Sequence, residues 1–336
     1  MKITVYGIGN PLIDIIVKAE DKELLALGKT KGTMALINEE EREKLLKFIE
    51  SKEKVFSCGG ACPNTMITLS AMGVKTALGG KIGEDEFGLI YENQLKKHQN
   101  ITPALVRGNG CRGGQPTGSS IILITPDSER TMNTFLGANR EFSEKDVDEK
   151  LLYESDFFYF TGYMWDTENQ KSAVEKCLHL CKKKKIKVAF DVADPFAVQR
   201  YKNDFLGIIE KAADYVFANN EEASFLFDGA APEKAADIIA EMGKTGAIKW
   251  GKQGSVIKEP KKDILRIPVI GDKGRVDTTG AGDTYAAGFL YGLCTGKTIE
   301  TSGKCASFLA SAIVSKIGAQ FTEEEALSLK NELSKF

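Results

Sequence analysis

The chain has 336 residues, 42% of them hydrophobic, enough for one large α/β domain or two ordinary ones with a sizeable core. Its 45 basic and 47 acidic residues nearly cancel, which gives no electrostatic basis for nucleic acid or a membrane surface as partner and favours a small-molecule substrate. The seven cysteines form no Cys-x-x-Cys and read as reduced, buried thiols; no apolar run approaches the roughly 18 residues of a membrane span, and no signal-peptide pattern opens the chain, so a cytoplasmic protein is expected.

Residues 3–8 read as a short buried strand that delivers Gly9-Asn10-Pro11-Leu12-Ile13-Asp14 at its carboxyl end, where α/β folds bind ligands. Gly7-x-Gly9 lacks the third glycine of a dinucleotide fingerprint, Leu12 standing there, so a Rossmann dehydrogenase is set aside. Asp14 falls among apolar residues of a second strand. It either has hydroxyl or amide partners or faces solvent on an alternating strand. After a helix over 39–50, Ser57 to Thr65 brings Gly59, Gly60 and Asn64 into a polar turn that enters an apolar helix, with Pro63 in its first turn. By itself such a turn is an ordinary helix start.

A strand over 76–80 leads through Lys81–Gly88 into a helix ending near residue 99. Gln115–Ile124 and Glu129–Phe135 form two β-runs joined at Pro126-Asp127, a hairpin. With strands near 12–17 and 33–37 they make a small sheet apart from the main one. From Phe157 onward strands and helices alternate, with helices at 171–184, 205–213 and 235–242; alternation of this kind implies a parallel sheet covered on both faces. Asn219-Asn220-Glu221-Glu222 places Asn219 and Glu222 one helical turn apart. That spacing suits either a helix cap or a pair holding water around a magnesium ion.

Asp277-Thr278-Thr279-Gly280-Ala281-Gly282-Asp283 runs into an apolar helix from Tyr285. A glycine turn feeding a helix N-terminus leaves backbone N–H groups free at the positive end of the dipole, which suits a phosphate. Asp283 beside such a pocket reads as the general base for a substrate hydroxyl, or else as a helix cap on a tight turn. Gly-Lys-Thr occurs at Gly28, Gly243 and Gly296, but a P-loop needs a glycine five positions earlier, and Glu23, Ile238 and Tyr291 stand there.

The Gly59-Gly60-x-x-x-Asn64, Lys81–Gly88, Asn219-x-x-Glu222 and Asp277–Asp283 stretches, in that order, resemble the ribokinase-like (PfkB) family of carbohydrate and nucleoside kinases. The resemblance implies a three-layer α/β/α fold with a mostly parallel central sheet, one domain over 1–336, and a small β-sheet lid from about 12–37 and 103–137. It implies ATP as donor, Mg2+ held by Asn219 and, through water, by Glu222, and it admits a monovalent cation such as K+. Asp283 then matches the family's base, and the Gly280, Ala281 and Gly282 amides its anion hole. Arg130, Asn219 and Thr278 match positions around the ATP phosphates, and Ala306 the resting place of its purine. Gly9 to Asp14, Gln115-Pro116-Thr117-Gly118 and Asp191-x-x-Asp194-Pro195-Phe196 are similar to the adenosine kinases of the family. On that likeness Asn10, Asp14, Gly59, Gly60 and Asn64 hold the ribose, Leu12, Leu36, Met132 and Met164 meet the purine, and adenosine becomes AMP. Met132 and Met164 depart from the usual residues there and keep a sugar kinase of the ribokinase, fructokinase or 2-keto-3-deoxygluconate kinase type as the alternative. A monomer and a homodimer are both compatible.

Overall fold

The computed structural model of the protein describes residues 3–108, 114–127, 129–272 and 274–336. The first strand, β1 (Val5–Ile8), is buried along its whole length, because it lies inside a parallel sheet with a neighbour on each side. The chain then leaves for β2 (Leu12–Lys18), β3 (Met34–Leu36) and β4 (Val55–Gly59), and returns with β5 (Thr76–Ile82) and β6 (Ile101–Arg107). It leaves again for the hairpin β7 (Ser119–Ile124) and β8 (Arg130–Phe135). From there it stays with β9 (Phe157–Thr161), β10 (Lys187–Asp191), β11 (Tyr215–Asn219), β12 (Thr245–Lys249), β13 (Ser255–Lys258) and β14 (Leu265–Ile267).

The result is a nine-stranded sheet in the order β14-β13-β12-β11-β10-β9-β1-β5-β6 and a five-stranded sheet in the order β3-β8-β7-β2-β4. The large sheet is parallel except for β13 and β14, which follow β12 as antiparallel turns back. This is the expected α/β class with a second, smaller sheet. The strand ends Asp191, Asn219 and Lys249 fall together at the carboxyl edge, Asn219 and Lys249 being direct register partners.

Four expectations change. Residues 101–107 pair in parallel with β5 and belong to the large sheet, not to the lid. Residues 109–113 and 128 of that span lie outside the described residues. Conversely β4, read from sequence as part of a turn, pairs antiparallel with β2 and completes the small sheet. The helix expected from residue 205 runs over Pro195–Lys211, started by the Asp194 carboxylate, which accepts from the Phe196 and Ala197 amides, and by Pro195 in the first turn. β13 and β14, short edge strands, were not anticipated.

The helices Ala281–Cys294 and Ile299–Val314 pack so closely that a Cβ added at Gly288 would lie 2.6 Å from the Ala306 Cα. Only glycine permits backbones that close, and the contact fixes the helix that begins at the glycine-rich turn. The six described cysteines are free, five of them buried and Cys294 half-buried. Cys111 lies outside the described residues. No described helix is long and apolar enough to cross a membrane.

Candidate active site

A cavity of about 540 Å³ opens between the carboxyl edge of the large sheet and the small sheet, lined by Asn10, Leu12, Asp14, Leu36, Gly60, Asn64, Met132, Gly280 and Asp283 among others. The sequence therefore brought most of its candidates to one place. In its wall Gly280 has φ of 74°, a left-handed conformation that ends the turn, and a side chain there would meet the Ala319 Cβ at 2.6 Å. The Ala281 N–H turns back to the Thr278 carbonyl at 3.1 Å, so of the three expected anion-hole amides it is already engaged. The Gly282 and Asp283 amides, in the first turn of the helix, have no carbonyl one turn back to bond.

Asp283 is held from the side by the Asn64 amide, which donates to its Oδ2 at 3.0 Å, while the Thr65 hydroxyl donates to its backbone carbonyl at 3.1 Å. Burial pushes its carboxyl up to about 7; the Asn64 hydrogen bond and Lys249 oppose, and the Asp191 and Asp14 charges add to the rise. A carboxylate poised near neutrality is well suited to take a proton from a hydroxyl.

Asp14 projects from β2 on the half-buried face of that alternating strand. Gly59, across the ladder, leaves the room: a Cβ there would lie 2.4 Å from Asp14 Oδ1, so Gly59 supports the site from beneath without lining the cavity. Among the described residues the Asp14 carboxylate has no hydrogen-bond partner, and burial pushes it up to about 7 against the pull of Arg130. Asn10 is fixed by Gln170, whose Nε2 donates to its Oδ1 at 2.8 Å.

Met164 does not reach the cavity. It is fully buried in the core, 3.9 Å from Gln170 Nε2, because the 3-10 turn Gly162–Trp165 rotates it inward and Tyr163 outward. Tyr163 and Phe196 line the cavity instead, the Tyr163 hydroxyl donating to Asp194 Oδ2 at 3.2 Å. Phe196 is 65% exposed, and Met34 and Leu36, on the small sheet and lining the same cavity, are 44% and 50% exposed. That leaves an unusual amount of apolar surface in one cleft. Arg200 and Asp166, paired at 2.9 Å, also line it.

The expected donor-side residues divide. Arg130 reaches from β8 across to the glycine-rich loop, where its Nη1 donates to Thr279 Oγ1 at 2.8 Å and pairs with Asp277 Oδ2 at 3.0 Å. Its Nη2 is buried without a partner among the described residues. Burial works against the Asp277 charge, but bonds from the Gly318 and Thr279 amides, the Thr279 hydroxyl and Arg130 more than offset it and hold this carboxyl below its ordinary range. Thr278 is exposed and Thr279 lines the cavity in its place. Ala306 offers no surface for a purine: it is fully buried against Gly288, which corrects that expectation.

Asn219 and Glu222 close a reciprocal cap on the helix Asn220–Leu226. Glu222 accepts from the Asn219 amide at 2.7 Å and from Asn219 Nδ2 at 2.6 Å, and Asn219 Oδ1 accepts from two helix amides. Burial raises the Glu222 carboxyl. No group of three or more His, Cys, Asp or Glu among the described residues is arranged to hold a metal. The donor set fits a magnesium ion that keeps its waters and leans on phosphates, not one caged by protein. Sequence reasoning missed Lys249, whose Nζ pairs with Asp191 at 3.1 Å beside Gly282; nothing local distinguished it from other strand-end lysines.

A profile described as "pfkB family carbohydrate kinase" matches residues 21–326. The chain belongs to the pfkB family. A pfkB kinase transfers a phosphoryl group to a hydroxyl of a sugar or nucleoside, and the family implies ATP and usually Mg2+. This pfkB chain is 30% identical over 258 residues to an "uncharacterized sugar kinase" of Archaeoglobus fulgidus, covering 75% of the chain and 96% of the relative. It is 28% identical over 278 residues to a 5-dehydro-2-deoxygluconokinase of Bacillus licheniformis, covering 77% and 81%. Among solved structures it is similar to an adenosine kinase of Sinorhizobium meliloti, at 31% identity and a TM-score of 0.86 over 99% of this chain and 100% of that one. A probable sugar kinase of Rhizobium etli matches at 30% identity with a TM-score of 0.85 and the same coverage.

Proposed function

We propose that this pfkB kinase phosphorylates adenosine at its 5′-hydroxyl, taking the γ-phosphate of ATP and yielding AMP. The observation that carries the reading is the make-up of the cavity: Asp14, a carboxylate with no hydrogen-bond partner among the described residues, shares its walls with Asp283 and with the apolar side chains of Leu12, Leu36, Met132, Tyr163 and Phe196. A free sugar has no flat apolar face to fill that cleft, whereas a purine nucleoside has one, with two ribose hydroxyls beside it. The similarity to the adenosine kinase of Sinorhizobium meliloti points the same way.

On this reading Asp14 and Asn64 hold the ribose, Asp283 takes the proton of the 5′-hydroxyl, and the Gly280 and Gly282 amides stabilise the charge on the phosphoryl oxygens. Arg130, with one guanidinium nitrogen unpartnered among the described residues, turns its free donors to phosphate when the nucleotide binds. ATP supplies the phosphoryl group, and a hydrated magnesium ion near Asn219 and Glu222 supplies charge neutralisation. The small sheet acts as a lid, and the protein works in the cytoplasm.

A sugar or sugar acid is the second reading, favoured by Arg200 in the cavity lining and by the names of the relatives. One ATP-coupled panel of adenosine, guanosine, inosine, ribose, fructose and 2-keto-3-deoxygluconate separates the two. Adenosine is expected to give the highest kcat/KM; a free sugar that outruns it would leave the kinase in place and remove the nucleoside.

A further inference from the structure

Lys249 ends β12 and Asp191 ends β10, and their ion pair spans the carboxyl edge of the large sheet with side chains 14% and 4% exposed. A buried pair of this kind has an adequate structural explanation in charge neutralisation alone. The position of the ammonium goes further. A Cβ built at Gly282 would lie 3.2 Å from Lys249 Nζ, with no other atom of the surroundings within 4 Å. The lysine therefore stands against the first turn of the helix Ala281–Cys294, beside amides at the positive end of its dipole.

A cation crowded onto a helix N-terminus is repelled by it unless negative charge lies between them. Asp191 neutralises the lysine, but burial opposes the ammonium form, and it takes Asp191, Glu222 and Asp283 together to hold the group above its ordinary range. The result is an ammonium pinned from one side by Asp191 and set against the first helical turn at a residue that has no side chain.

We propose that Lys249 is a catalytic residue of the phosphoryl transfer, its Nζ contacting a non-bridging oxygen of the γ-phosphoryl group in flight, with Asp191 as the positioning residue that aims it. This rests on the reading that the phosphoryl group lies against Gly280–Gly282 and that Asp283 is the base. In that step the acceptor oxygen bonds to the γ-phosphorus, and the bond from that phosphorus to the β–γ bridging oxygen breaks with its electron pair leaving on ADP. The hydroxyl proton passes to Asp283. Lys249 gives and takes no proton; it neutralises charge that the backbone amides alone meet only by dipoles.

Four variants test this with the full-length protein, ATP, Mg2+ and the best acceptor of the panel: Lys249→Met, Lys249→Arg, the double Lys249→Met/Asp191→Asn, and Asp283→Asn. Lys249→Met is expected to lower kcat about 10²-fold, the typical effect of removing one group that stabilises a transition state, with the acceptor KM near wild type. Calorimetry should find the affinity for ADP with aluminium fluoride and acceptor lowered by a similar factor, and the affinity for ADP alone little changed. Lys249→Arg should recover part of both losses. The double variant, which leaves no orphaned carboxylate, should remain as slow as Lys249→Met. Recovery of kcat in the double variant, or an unchanged affinity for ADP with aluminium fluoride, would overturn the proposal, since either outcome makes the lysine only a counter-ion of Asp191. Near wild-type turnover in Asp283→Asn would instead overturn the reading beneath it, and that result is visible without any Lys249 variant.

Discussion

Two carboxylates line the cavity in the same electrostatic condition but on different supports. Burial brings both Asp283 and Asp14 up to about 7. Asp283 is tied in place: Asn64 donates to it, and its helix is locked by the backbone contact of Gly288 with Ala306. Asp14 stands on β2 of the small sheet, with room made by Gly59 and with no hydrogen-bond partner among the described residues. The difference teaches what burial alone leaves undecided. A raised carboxyl that is held suits proton transfer from a fixed geometry, whereas a raised carboxyl left unpaired is a receptor whose missing partners come from a ligand.

The comparison breaks most readily at Asp283. Asp283→Asn keeps the hydrogen-bonding shape and removes the proposed base, and turnover should fall by about 10²- to 10⁴-fold while ATP binding, measured by calorimetry, is retained. A variant that turns over at a near wild-type rate would make Asp283 a helix cap and nothing more.

Asp14→Ala tests the other carboxylate. A hydrogen bond to a charged group is worth about 1.5–3 kcal/mol, so kcat/KM for adenosine should drop about 10- to 100-fold. The sharper measurement is the response to 2′,3′-dideoxyadenosine: wild type should discriminate strongly against it, and Asp14→Ala should not. Equal discrimination by both proteins would detach Asp14 from the sugar.

Phe196→Ala should raise the adenosine KM about tenfold or less and leave kcat nearly alone, because apolar surface contributes weakly and equally to ground and transition states. A large fall in kcat with unchanged KM would contradict its assignment to the base pocket.

The smallest effect is on stability. Each carboxyl has an ordinary value of 3.8 and a folded value of about 7, so between these pH values the folded protein holds protons that the unfolded chain has released. Stability from these groups is therefore full below about pH 4 and lost as pH rises to about 7. The melting temperature without ligands should decline between pH 5 and 8, and Asp283→Asn and Asp14→Asn should each flatten the slope by about a few degrees. Identical slopes in wild type and both variants would mean that neither carboxyl titrates as described.

How much of this was legible in sequence depends on how local each feature is. The Gly280–Asp283 turn and the Gly59–Asn64 turn are contiguous strings whose residue types dictate their geometry, and both line or support the cavity. Lys249 and Asp191 are 58 positions apart and meet only because β10, β11 and β12 lie side by side. Tyr163 and Met164 are adjacent, and only the rotation of one 3-10 turn decides which of them faces the cavity. The Gly59-Gly60 pair concealed β4, because two glycines read as a turn even where the first ends a paired strand. Ala306 was misplaced for the opposite reason: Gly288, six residues beyond Gly282 on the partner helix, brings the two helices too close for anything to rest there.

That last contact also governs how such a protein diversifies. A Cβ at Gly288 would strike the Ala306 Cα at 2.6 Å, and one at Gly292 would strike the Ser302 Cα at the same distance, so heritable change in this helix pair is nearly all damaging. Met34, Leu36 and Met132 face the cavity from the small sheet and can be exchanged without moving Asp283. Mutational drift is thereby channelled into the strands proposed to choose the acceptor and away from the helix proposed to perform the transfer. Anyone seeking to retarget the enzyme should randomise those three positions first.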